Sequence, residues 1–215
     1  TVTVDASAYR GILTVQASAS ATTFITHGTA VADITGGAGN DTFTVGATAA
    51  QQNLAGGAGT DTANITLSGV AEANDLVNIE VYNLTIADSA TAGLTHATTE
   101  GINDSDTTTV NISGGNSLST MALGTAGAGA IGVANGGEAT GLVTVNASAF
   151  NGALTAKFGE DVVDTNLTIT GGAGIDNVHA TYTGAAVVKM SGVERFHIES
   201  NATGTIDLSN VTDLV

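Results

Sequence analysis

The chain has 215 residues, with four Lys and Arg against 20 Asp and Glu, a formal net charge of −16. That balance excludes an electrostatic nucleic-acid surface, which needs clustered Lys and Arg, and it opposes contact with an anionic membrane. Cysteine is absent, so disulfides and thiol chemistry are unavailable, and no run reaches the roughly 18 apolar residues of a membrane helix.

Aromatic residues make up 4% and charged residues 11%, while Gly numbers 29. A thick globular core is hard to build from this, whereas a thin core of stacked Val, Ile, Leu and Ala is easy. Pro is absent, which suits a chain whose residues mostly enter strand ladders. The chain opens at Thr1 with no Met, basic region or apolar region, and is expected to be a piece of a longer exported protein whose signal lies elsewhere. Without disulfides such a protein needs another brace, and metal is the obvious candidate. Dense negative charge opposes compaction by self-repulsion, which a bound cation would relieve. The plain alternative is that acidity only keeps a surface protein soluble.

Residues 1–35 read as short strands of period two: Thr1–Val4, Ile12–Val15 and Thr23–Thr26. β-Branched residues fill them, Gly, Ser and Ala punctuate them, and helical periodicity is nowhere sustained. Then come GGAGNDTF from Gly36 and GGAGTDTA from Gly56, and much later GGAGIDNV from Gly171. Each carries G-G-x-G-x-D, the core of a nonapeptide found in calcium-binding parallel β-rolls. Glycines reach positive φ and let carbonyl oxygens converge with no Cβ in the way. The Asp adds a hard anionic oxygen, and Ca²⁺ takes roughly six to eight such ligands in flexible geometry. From Gly36 to Gly56 is 20 residues, right for one coil of a solenoid, so the second turn is expected to stack on the first.

Strands continue to Asn78–Leu84. Residues 87–141 are richer in Ala, Gly, Ser and Thr, with short apolar pieces such as Thr109–Ile112 and a loosened motif, Gly114-Gly115-Asn116, that lacks the Asp. Asn103-Asp104-Ser105-Asp106 alternates carboxylates that can chelate Ca²⁺ but more often form a solvated turn.

The beginning then repeats. Val143–Gly152 echoes Val2–Gly11, so that Val4 matches Val145, Gly36 matches Gly171 and Glu80 matches Glu194. From Gly36 to Glu80 is 44 residues, but from Gly171 to Glu194 only 23, a loss of 21 that is close to one coil. Deletion of a unit coil is what a quasi-one-dimensional stack tolerates. The expected fold is all-β, a parallel β-solenoid (β-roll or β-helix) of about 20-residue coils with glycine turns. Its expected divisions are 1–86, a first copy with two motif turns; 87–141, intervening coils or an insertion; and 142–215, a second copy with one. Ile34, Phe43, Val45, Ile169 and Val178 are expected to face the core. Thr205–Val211 reads as one more coil.

In these motifs and this low-charge background the chain resembles the RTX group of secreted bacterial calcium-binding proteins. Within that group it is similar to Caulobacter-type surface-layer proteins and large RTX adhesins. The motif match covers about a tenth of the chain; the rest of the likeness is compositional. The resemblance implies Ca²⁺ as the cofactor, held by the carboxylates of Asp41 and Asp61 with carbonyls of Gly36, Ala38, Gly57 and Gly59, the free position Asn40 lying between. For the third motif it implies Gly171, Ala173 and Asp176, with Gly159-Glu160-Asp161 and Asp164 as further carboxylates half a coil away. Ala63 stands where the motif usually has a large apolar residue, and Ile175 makes the third turn less polar. The alternative at each turn is a plain glycine bend with a solvated Asp.

The resemblance further implies an extracellular, structural segment at the bacterial cell surface, stiffened by calcium. Its partners would be neighbouring copies in a surface array, with cell-surface polysaccharide a second possibility, and neither nucleic acid nor membrane insertion. Other readings are a spacer of an adhesin, or an accessory roll of a secreted hydrolase. No catalytic residues can be nominated, and the chain is not expected to be an enzyme. There is no G-x-S-x-G elbow, the GGAG turns lack the Lys and helix of a phosphate loop, and N-x-[ST] triplets recur as this composition generates them. His27, His96, His179 and His197 show no metal-ligand spacing and read as surface residues.

Overall fold

The computed structural model of the protein describes residues 2–8, 12–17, 20–26, 32–45, 52–67, 75–88, 95–97, 108–123, 144–158, 168–182, 186–200 and 206–212. The acidic stretch Asn103–Asp106, the carboxylates of Glu160, Asp161 and Asp164, and His27 lie outside them. All regular structure among the described residues is strand, and all pairing is parallel, as expected of a β-solenoid.

The chain winds back and forth between two walls. One is a ten-stranded sheet of β1 (Val2–Ala6), β3 (Thr22–Thr26), β5 (Thr42–Val45), β7 (Thr62–Leu67), β9 (Val81–Ile86), β11 (Thr109–Gly114), β13 (Thr144–Phe150), β15 (Thr168–Thr170), β17 (Ala186–Ser191) and β19 (Ile206–Val211), in that order. The other wall is in two pieces. β2 (Leu13–Gln16), β4 (Ala32–Thr35), β6 (Gln52–Ala55) and β8 (Asp75–Val77) make a four-stranded sheet. β10 (Thr95–Ala97), β12 (Thr120–Leu123), β14 (Ala153–Phe158), β16 (Asn177–Tyr182) and β18 (Arg195–Ser200) make a five-stranded one.

Coil length follows from register. Thr42 pairs with Thr62 and Thr62 with Val81, close to the expected 20-residue unit. The spacing then widens: Val81 pairs with Thr109, and Thr109 with Thr144, where a bulge in β13 breaks the register. The span 87–141 thus contributes β10, β11 and β12 to the walls.

Alternation explains the core. Phe24, Phe43, Ala63, Tyr82, Val110, Val145, Ile169 and Met190 form one inward column of the ten-stranded sheet, each partner in register with the next, and all are buried. Ile34, Phe43, Val45, Ile169 and Val178 face inward as expected. Ala63 lies between Phe43 and Tyr82 in register and is 0% exposed. Phe24 and Phe43 stack with ring centres 5.1 Å apart. On the outer face Asn64, Asn83 and Asn111 form an amide ladder, with Asn83 Nδ2 donating to Asn64 Oδ1 and Asn111 Nδ2 to Asn83 Oδ1, both at 2.8 Å.

Candidate functional site

The site is built from the glycine turns. In the first two, Gly36–Asp41 leads from β4 into β5, and Gly56–Asp61 leads from β6 into β7. They stack coil on coil, as expected. Gly36 N–H donates to Ala55 O (2.7 Å), Ala58 N–H to Gly37 O (2.9 Å), and Thr60 N–H to the exposed Asn40 Oδ1 (3.0 Å). Stacking requires glycine at Gly57, which has φ of 109° and where a Cβ would stand 2.2 Å from Gly37 O. Gly59 also has a positive φ, and it and Ala38 are exposed. The third turn, Gly171–Asp176, sits at the opposite corner of the coil, leading from the ten-stranded wall at β15 into β16. Gly171 N–H donates to Ser191 O (2.9 Å), and Ala173 N–H to Phe150 O (3.0 Å). The two sequence copies therefore carry their motifs on opposite edges, because the second copy reaches its turn after an odd rather than an even strand.

The three Asp side chains point inward, not outward. Asp41, Asp61 and Asp176 are 1%, 0% and 0% exposed. Asp41 accepts Thr22 N–H on Oδ1 and Gly37 N–H on Oδ2, both at 2.7 Å. Asp176 does the same with Leu154 N–H on Oδ1 (2.7 Å) and Gly172 N–H on Oδ2 (2.6 Å). Each carboxylate thus closes its own turn and captures the amide at the matching position one coil earlier. The pattern propagates. Asp41 N–H donates to Asp61 Oδ1 (2.6 Å), Asp61 N–H to Glu80 Oε2 (2.5 Å), and Asp176 N–H to Glu194 Oε2 (2.7 Å). Asp41–Asp61–Glu80 is one ladder and Asp176–Glu194 a second, one coil shorter, in agreement with the 21-residue loss read from the repeat.

The repeat aligned Glu80 with Glu194, but neither belongs to a G-G-x-G-x-D motif. Each takes the Asp position two residues after a left-handed residue, Asn78 (φ 54°) or Gly192 (φ 62°), and its longer side chain makes the same reach. Ser119 stands five residues after Gly114, where the motif has Asp; it is 0% exposed, and its Oγ accepts Asn116 N–H at 2.9 Å. Gly114 and Gly115 have φ of 79° and 67°, so the loosened motif is a true turn with hydroxyl in place of carboxylate.

Charge in this setting is costly. Burial holds the Asp61 carboxyl above its ordinary value of 3.8, the accepted Asp41 N–H pulls the other way, and the Asp41 charge adds to the rise. Burial likewise raises Asp176, against the Leu154 and Gly172 amides and with the Glu194 charge assisting.

The donor set tests the expected calcium. At Asp41 and Asp176 both carboxylate oxygens already accept an amide hydrogen, which places a partial positive charge where a cation would approach. Asp61 differs, since its Oδ2 is buried with no hydrogen-bond partner. A Cβ on Gly56 would lie 2.4 Å from that oxygen and 1.9 Å from Asn78 O, and the same oxygen-lined notch stands at Gly36, with Asp41 Oδ2 and Gly56 O, and at Gly171, with Asp176 Oδ2 and Gly192 O. The open Oδ2 makes the Asp61 turn the one whose residues fit the ion best. Among the described residues no three His, Asp or Glu side chains converge on one point, so main-chain oxygens and water would complete any shell.

The structure also joins two residues that the sequence kept apart. His179 and His197 are register partners on β16 and β18, with ring centres 4.4 Å apart and planes at 78°. Comparison with protein-family models, with curated proteins and with solved structures finds no match to this chain.

Proposed function

We propose that the chain is a structural segment of a secreted bacterial cell-surface protein, a stiff β-solenoid that presents regular faces to neighbouring copies in a surface array. The observation that carries this reading is the ladder of buried carboxylates, each capturing an amide of the adjacent coil. Such a ladder serves axial rigidity, and it consumes acids that a binding or catalytic surface would expose. Composition supports the surface setting: few charges, many small residues and no Cys.

Calcium enters at Asp61, where Oδ2 and Asn78 O are the available oxygens and a cation would offset the desolvated charge. Extracellular modules bind calcium with dissociation constants of about 10⁻⁴ to 10⁻³ M. At 10 mM Ca²⁺ a site of about 1 mM stabilises the fold by about 1.4 kcal/mol, or roughly 3–6 °C for a chain of this size. The test is a circular-dichroism melt in 10 mM Ca²⁺ and in excess chelator, followed by electron microscopy of the calcium-loaded protein. A calcium-dependent rise that Asp61→Asn abolishes, with ordered sheets on the grid, is the expected result. Monomers that stiffen without assembling would turn the reading to an adhesin spacer. No shift in midpoint would remove calcium from the proposal.

A further inference from the structure

His179 and His197 form a cluster that the glycine turns do not use. They lie 18 residues apart, one short coil, on the outer face of the five-stranded sheet. His197 is exposed and His179 half-buried. Parallel strands stand about 4.8 Å apart, so in-register side chains on one face leave the backbone side by side. Here the two imidazoles meet edge to face at 4.4 Å between centres.

We propose that this pair binds a divalent transition metal of the nitrogen-preferring kind, Ni²⁺ or Cu²⁺ ahead of Zn²⁺. One ring nitrogen of each imidazole would ligate, with water in the remaining positions. A metal–imidazole bond of about 2.0–2.1 Å puts each ring centre about 3.2 Å from the ion. Centres 4.4 Å apart lie within the roughly 6.4 Å that two such bonds span, once one ring turns about its Cβ–Cγ bond so that a nitrogen of each points at the ion. Two imidazole nitrogens with water completing the shell suit the N,O donor sets of Cu²⁺ and Ni²⁺. Both imidazoles come from strands held by a continuous ladder, Asn177 to Arg195 through Tyr182 to Ser200. Ring rotation is therefore the main ordering left to do on binding.

The ligands set the selectivity. Arg195 stands two residues before His197 and Glu199 two residues after it on the same strand. A hard cation such as Ca²⁺ or Mg²⁺ finds no oxygen donor in the two imidazoles, whereas a metal that bonds strongly to imidazole nitrogen is held by both. The chain's net charge of −16 still draws cations towards it at long range. The site shares no residue with the glycine turns and is independent of the calcium proposal.

The experiment is calorimetric titration of the tag-free chain with NiCl₂ at pH 7.5, in 10 mM Ca²⁺ so that oxygen sites are occupied by their own ion. One saturable equivalent is expected, with affinity lower by at least about tenfold in His197→Asn and in His179→Asn. His197 is exposed, so its variant should melt with the parent in the absence of Ni²⁺; should His179→Asn unfold, His197→Gln and His197→Asn carry the test. Absence of saturable Ni²⁺ binding, or binding unchanged in the folded His197 variants, would overturn the proposal.

Discussion

The ladder makes opposite predictions for one substitution at two equivalent positions. Asp41 and Asp61 occupy the same place in consecutive motifs, yet Asp41 accepts two amide hydrogens while Asp61 accepts one and has a bare Oδ2. Replacing Asp41 by Asn keeps the shape but turns an NH₂ towards Thr22 N–H or Gly37 N–H. One buried amide then loses its acceptor, at about 1–3 kcal/mol, and the other bond is no longer charge-assisted. A net loss of about 2–4 kcal/mol is expected. In Asp61→Asn the oxygen can stay with Asp41 N–H while the NH₂ replaces the bare Oδ2 beside Asn78 O. A buried charge disappears and a donor faces a carbonyl, so the change should be neutral or stabilising by about 1–2 kcal/mol. At roughly 2–4 °C per kcal/mol, the two variants should differ by about 10 °C in melts run in excess chelator at pH 7. An Asp61→Asn variant that falls as far as Asp41→Asn would refute the inward ladder as the role of these residues.

Further outcomes follow from the same geometry. Asp61 and Asp176 are raised above 3.8 by burial, so the fold favours their neutral forms. That contribution is full below the unfolded value and is lost as pH rises through the folded ones. In chelator the midpoint should therefore fall as pH is raised from about 4 towards neutrality, and a double Asn variant at these positions should fall less. Gly57→Ala meets both a φ of 109° and Gly37 O at 2.2 Å, and should cost about 2–4 kcal/mol in a denaturant titration, with Ala58→Gly as the mild control. Ala63→Leu drives a larger side chain between Phe43 and Tyr82 and should cost about 1–3 kcal/mol. Ser119→Ala strips the acceptor from Asn116 N–H and should cost about 1 kcal/mol, with faster amide exchange at Asn116.

Much of the fold was legible because β periodicity and a 20-residue spacing are written directly in residues such as Ile34, Phe43, Val45 and Ile169. The stacking of the first two motifs was legible for the same reason. The direction of the carboxylates was not. Glycines followed by Asp describe equally a turn that opens its acid to an ion and one that folds it onto an amide. What distinguishes them is the register of the coil before, which brings Thr22 under Asp41. Register also hid the histidine pair, since an 18-residue coil between His179 and His197 departs from the unit that the motifs advertise. Glu80, Glu194 and Ser119 were invisible as ladder members because each serves the Asp role with a different side chain.

The two walls differ in continuity. The ten-stranded sheet runs unbroken past β9 and β11, whereas no pairing joins β8 to β10 among the described residues. Among the described residues, a pull along the axis is therefore shared by two rows of strand pairing over most of the length and by one between β8 and β10. Like a plank sawn half through, the segment should flex and first give way there. A tether attached at either end would register that as a soft step ahead of the main rupture.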